Sequence, residues 1–315
     1  LLLNRTTGYR LKPGLYPNGL RANSLGFADT EWTLEPTPDR RRIAALGDSF
    51  SVGVAVAYED NWLTLLEAEL GVEVCNFGVC GTGPREYRDL LASLVWQYQP
   101  SMVLVPVFIG NDITERIASP QLTKFHPDAL YTELLARRLG RLVQELWRQA
   151  EAATTDDYRM GVNVGFSEKT YLELTAGRLA VCRAKQTAED RRRWEMVERC
   201  LEDLIQDCRN HGVPVAFVLI PDEFQIHAEL RRQAMVVRGW RDEDLDLLLP
   251  QQRLTDFLAK RQVPVLDLLP ALREAGPEAF IRNDGHFSKS GHRLAAREVS
   301  RWLRTELSTG LATAP

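Results

Sequence analysis

Five short apolar runs punctuate the chain, at residues 43–46, 72–77, 102–109, 213–220 and 263–268. They are apolar mainly at consecutive positions, the pattern of a strand covered on both faces in a parallel sheet, with Glu73, Asn76 and Asp267 the polar interruptions. Helical faces lie between them. Trp62, Leu65, Leu66 and Leu70 share one face, and Gly71 supplies a stop. Pro84 suits a first helical position and opens a segment carrying Tyr87, Leu90, Leu91, Leu94, Val95 and Tyr98, which Pro100 ends. Leu294, Ala295, Val299, Trp302 and Leu303 form a last such face near the C-terminus. The order β-α-β-α-β, a long interruption, then β-α-β-α predicts a doubly wound three-layer α/β/α sandwich around a mainly parallel five-stranded sheet, flavodoxin-like in plan.

Two stretches stand outside that alternation. Residues 1–40 are rich in Gly, Pro and Asn without a sustained period, and read as an irregular arm laid on the domain. Residues 114–212 exceed a normal crossover and are mostly helical in pattern, so they are expected to form an insertion or lid. The framework domain is then 41–113 together with 213–309, and 310–315 is a tail.

Composition narrows the classes of function. Of 315 residues 44% are apolar, and charges of both signs are interspersed to a formal net charge of -4, which suits a folded core and disfavours nucleic acid as a partner. The basic triplet Arg40-Arg41-Arg42 reads as a solvated linker. Cys75, Cys80, Cys182, Cys200 and Cys208 are scattered and form no CxxC pair, so they suggest neither a disulfide scaffold nor zinc. No run of about 18 apolar residues is present to span a bilayer.

In open α/β sheets ligands bind beyond the carboxyl ends of the strands. Those ends carry Asp48-Ser49, then Asn76 with residues 78–83, then Gly110-Asn111-Asp112, then Asp222-Glu223, and last Asn283-Asp284-Gly285-His286. A hydroxyl, an imidazole and several amide donors thus meet at one edge, the combination acyl transfer needs. Each has a plainer use. A serine after a strand caps helices, Gly-Asn-Asp makes turns, and a histidine can sit in a core. Asp48 reads as support for the turn. His292, six residues after His286, reads as an N-terminal helix residue rather than half of a metal pair; His126, His211 and His227 carry no comparable context.

Gly47-Asp48-Ser49-Phe50 resembles the first block of the GDSL, or SGNH, hydrolase superfamily. Asn76-Phe77-Gly78-Val79-Cys80-Gly81 resembles the second block, Gly110-Asn111-Asp112 the third, and Asp284-Gly285-His286 followed by Ser288 and Gly291-His292 the last. All four stand in the family's order and spacing. The resemblance implies a serine esterase that cleaves O-acyl esters, short-chain ones such as acetyl foremost, of a carbohydrate, lipid or small molecule. An O-acyltransferase, or a non-catalytic carbohydrate-binding or assembly module, is the alternative on the same fold.

The resemblance also implies roles. Ser49 is the nucleophile, His286 its base, and the oxyanion hole is formed by the Ser49 and Gly81 N–H groups with the Asn111 amide; no metal or cofactor is called for. The family's last block is usually D-x-x-H, but Asn283 holds the position three before His286, so the third member is expected to be Asp284, two before. Arg21-Ala22-Asn23-Ser24-Leu25-Gly26-Phe27 resembles a segment that follows an N-terminal anchor in some bacterial members. That implies a membrane tether upstream of Leu1 and an extracytoplasmic setting.

Overall fold

A computed structural model describes residues 2–4, 6–114 and 165–309. Strands β5 (Arg42–Ala45), β6 (Glu73–Asn76), β7 (Met102–Phe108), β8 (Val215–Ile220) and β9 (Val265–Asp267) form one parallel five-stranded sheet in the order β6-β5-β7-β8-β9. Four lie within the predicted apolar runs, and β5 starts one residue before its own, at Arg42. The chain steps outward from β5 to β6 and then crosses to β7 on the other side, so the strand order reverses beside β5. A crevice opens at such a switch point.

Side chains alternate across this sheet and divide the core. Ala44, Val103, Val105, Phe217 and Leu219 face one layer, with α3 (Pro84–Ser93), α6 (Ala188–Asn210), α7 (Ala228–Arg238) and α8 (Leu249–Ala259) packed over them. Ile43, Ala45, Leu104, Ala216 and Val218 face the other, under α2 (Trp62–Leu70), α9 (Leu269–Ala275) and α10 (Lys289–Thr309). Both faces are covered, which is why the central strands β7 and β8 are apolar at every position, while polar residues stand at the ends of β5, β6 and β9; each fully buried Leu, Val or Phe side chain contributes about 1.5–3 kcal/mol. Local signals set the helix ends. The Asn61 side chain accepts from Leu63 N at 2.9 Å to start α2, and Gly71 closes it at φ 66°.

The N-terminal arm is more ordered than its composition predicts. It holds two antiparallel ribbons, β1 (Leu2–Asn4) with β2 (Gly8–Arg10), and β3 (Gly14–Leu15) with β4 (Arg21–Ala22). Trp32 lies 4.6 Å from Phe77, ring to ring, and Asp29 accepts from Asn76 N at 2.9 Å, so the arm is fastened to the end of β6. Arg42 corrects the reading of the basic triplet as a solvated linker. It is 2% exposed, and its guanidinium donates to Thr33 O, Leu34 O, Glu35 O and Tyr98 O and pairs with Glu73 at 2.9 Å. Five donors in a planar fork satisfy carbonyls that the arm could not pair within itself.

The stretch expected to be an insertion over 114–212 divides. From Gly165 to the end of the described residues the chain belongs to the same compact unit as the sheet, and Trp194, Val197, Leu201 and Ile205 of α6 share the core of β7 and β8. Residues 115–164 and the tail 310–315 lie outside the described residues.

Candidate active site

The turn after β5 presents Ser49 as the first residue of a short helix, α1 (Ser49–Val52). Asp48 caps it, its carboxylate accepting from Phe50 N at 2.9 Å, as its reading as a turn support requires. Ser51 is fully buried and donates to Leu46 O, so of the two serines in this turn only Ser49 is free to face a substrate. Phe50 packs 4.4 Å from Phe108 and 5.2 Å from the His286 ring, forming an apolar floor.

His286 arrives from the other end of the chain. Its Nε2 lies 2.7 Å from Ser49 Oγ, and its Nδ1 lies 2.5 Å from Asp284 Oδ1. Asp284 Oδ1 also accepts from the backbone N of His286 at 3.1 Å. The loop can bring the carboxylate back under its own neighbour because Asn283 takes a left-handed φ of 54° and Gly285 one of 87°. Asn283 therefore shapes the backbone, and its carbonyl accepts from Phe166 N at 2.7 Å, while Asp284 makes the contact to the imidazole. His286 keeps 25% of its side chain exposed and Asp284 14%, so the pair is screened but can be reached.

The oxyanion candidates stand at the same sheet edge. Gly81 sits in the turn after β6 at φ 68°, a conformation that a side chain strains and glycine does not, and a Cβ there would meet no protein atom within 4 Å. Thr82 braces that turn by donating to Val79 O at 2.6 Å. Asn111 begins α4 (Asn111–Thr114), and its Oδ1 is buried without a hydrogen-bond partner among the described residues. A buried unpaired amide oxygen costs about 1–3 kcal/mol, and such costs are characteristic of functional positions. Asp112 holds the loop, accepting from Phe108 N at 3.0 Å and from the Tyr87 hydroxyl at 3.1 Å. Burial pushes the Tyr87 phenol well above its usual range, with the Asp112 charge adding to it, so it stays a donor.

Asn76, the first residue of the second block, turns out to be a joint. Its side chain donates to Ser51 O at 2.7 Å and to Ala28 O at 3.1 Å, linking the Ser49 turn to the arm. His292 lies in α10, 2% exposed, and its Nδ1 accepts from Trp62 N at 3.2 Å, capping α2 from outside. Burial, reinforced by the charge of His286 and partly offset by Asp60, pushes it down to about 3. Among the described residues no group of three or more His, Cys, Asp or Glu side chains gathers to hold a metal ion.

Residues 181–315 match the family model described as the SGNH hydrolase-like domain of acetyltransferase AlgX. The four blocks that resemble the SGNH superfamily lie at one sheet edge, where the Ser49, His286 and Asp284 side chains meet. Over residues 181–315 the chain is similar to an SGNH hydrolase-like domain. Similar solved structures include the psychrotrophic esterase EstA from Pseudoalteromonas sp., at 12% identity over 85% of this chain and 99% of that one, with a TM-score of 0.46. A lipase/acylhydrolase from Enterococcus faecalis matches at 15% identity over 84% and 96%, TM-score 0.44. A GDSL-like lipase from Bacteroides thetaiotaomicron matches at 8% identity over 86% and 91%, TM-score 0.45. No curated protein sequence matches the chain.

The chain also places polar groups at this edge that no block marks. Tyr171 and Arg178 come from α5 (Glu168–Arg178), a stretch whose sequence carries a helical period but nothing to show that an arginine there is buried. Asp222 and Glu223, visible in sequence only as polar residues after β8, are their partners. Arg178 Nε lies 2.5 Å from Asp222, and the Tyr171 hydroxyl donates to Glu223.

Proposed function

We propose that this protein is a serine esterase that cleaves O-acyl esters, short-chain ones such as acetyl, of a carbohydrate, lipid or small molecule through an acyl-enzyme. The observation that carries the reading is the unbroken chain from Ser49 Oγ to His286 Nε2 at 2.7 Å and from His286 Nδ1 to Asp284 at 2.5 Å. Ser49 Oγ attacks the ester carbonyl carbon as its proton passes to Nε2. The Asp284 carboxylate holds the other ring nitrogen's proton and supports the imidazolium that forms. The new oxyanion is received by the Ser49 and Gly81 N–H groups and the Asn111 amide, none of which titrates. Collapse breaks the bond to the alcohol oxygen, which takes the proton back from Nε2 and leaves the acyl group on Ser49. Water, deprotonated by the same nitrogen, then releases the acid.

A second reading is favoured by the matched segment, whose family description names an acetyltransferase. There the acyl-enzyme passes its group to a sugar hydroxyl instead of water, with the same residues in the same roles. One experiment addresses both. A fluorophosphonate probe is expected to modify Ser49 and no other serine, and acetate-ester turnover to vanish in Ser49→Ala. Repeating turnover with glycan acceptors then separates the readings, since an acetylated acceptor appears only for a transferase. A probe adduct on another residue, or turnover that survives Ser49→Ala, rejects both.

A further inference from the structure

The loop carrying Asp284 and His286 lies between α9 and α10 and the turn carrying Asn111 follows β7, yet they rest on one buried group of side chains. A Cβ on Gly285 would lie 2.9 Å from the Tyr171 hydroxyl oxygen, 3.4 Å from its ring and 3.5 Å from Arg178 Nη2. A Cβ on Gly110 would lie 2.4 Å from Asp222 Oδ2. Arg178 joins the two sides through its 2.5 Å contact with Asp222, which is fully buried. The guanidinium also stacks over Tyr171 at 5.7 Å, and Tyr171 is held in turn by Glu223. The same stretch of chain grips the catalytic loop a second time, where Phe166 N donates to Asn283 O at 2.7 Å.

We propose that Arg178 and Tyr171 are positioning residues that set the distance between the His286 loop and the Asn111 loop, with Asp222 as the anchor of the pair. The proposal rests on the acyl-transfer reading above. Its physical basis is the absence of slack. Glycine at 110 and 285 lets charged and aromatic groups touch the backbone of both loops, so any shift in the Arg178–Asp222 pair is transmitted without a compressible side chain between. A base and an oxyanion donor must be held to within about half an ångström, and a misplacement of about 1 Å costs on the order of a hundredfold. Lysine at 178 keeps the charge but loses the fork that contacts Asp222 and Gly285 together. Phenylalanine at 171 keeps the ring and drops only the hydroxyl.

The test is acetate-ester turnover by Arg178→Lys and Tyr171→Phe, each normalised to sites titrated to completion with a fluorophosphonate, so that unfolded molecules are not counted. The expected result is a kcat per titrated site lowered by about tenfold or more in Arg178→Lys and by a smaller factor in Tyr171→Phe, with KM within about threefold. Arg253→Lys is the control, since it makes the same change in a remote pair, 2.6 Å from Glu198. It should leave kcat per site unchanged. If both test variants melt earlier yet keep wild-type kcat per titrated site, the cluster is structural only and the proposal is overturned. If Arg178→Lys yields no folded protein, Tyr171→Phe decides alone by the same criterion. Wild-type protein that does not label at Ser49 refutes the acyl-transfer reading and this proposal with it.

Discussion

His292 gives the sharpest quantitative expectation outside the reaction itself. In the fold it is neutral, with Nδ1 occupied as the acceptor for Trp62 N and its ring packed edge-on 5.7 Å from Phe287. An unfolded chain protonates this histidine below about 6.5, whereas the folded one resists until about 3. Its contribution to stability is therefore complete above pH 6.5 and is lost as pH falls toward 3. At 1.36 kcal/mol per pKa unit the whole interval is worth about 5 kcal/mol, comparable to the net stability of many domains. Asp29 works in the opposite sense. Burial raises it from 3.8 to about 6, so it favours the fold at low pH and loses that contribution as pH rises through the same range, by about 3 kcal/mol. The two slopes oppose each other between pH 4 and 6, and wild-type protein alone does not reveal either. His292→Asn separates them, because Asn Oδ1 can stand where Nδ1 stood but does not titrate. Urea unfolding of both proteins at intervals from pH 7 to 4.5 should show the variant gaining on wild type by about 1.4 kcal/mol per pH unit below pH 6.5, about 3 kcal/mol in all. Parallel curves would mean that His292 protonates as readily in the fold as outside it, and the reasoning from its burial would be refuted.

Two further expectations bear on the site. Asp284→Asn should lower kcat by as much as about 10⁴-fold, since it removes the charge beside His286 Nδ1, whereas Asn283→Ala should cost far less because that residue contributes backbone shape; near-full activity in folded Asp284→Asn would make the enzyme a dyad. Asn111→Ala should lower kcat on the order of 10²–10³-fold with little change in KM, and steady-state kinetics showing the reverse pattern would make Asn111 a ground-state binding residue.

The strands, their parallel order and the edge where the chemistry gathers were legible in the sequence for local reasons. A strand buried on both faces must be largely apolar, as in the 102–108 run, and the helices between announce themselves by Gly71 and Pro84. Ser49 and His286 stood out as a hydroxyl and an imidazole bound for one sheet edge, whereas Asp284 entered through the resemblance to the last SGNH block; the fold brings the three side chains together. Tertiary structure alone decided the rest. Arg42 reads as a surface charge until Tyr98 O, the Glu73 carboxylate and carbonyls of the arm converge on it, and Arg178 reads as a helix-end charge until Asp222, in the loop after β8, neutralises it. No local pattern encodes such groups, because the partners that make burying a charge tolerable lie far along the chain and meet it only when the sheet is assembled.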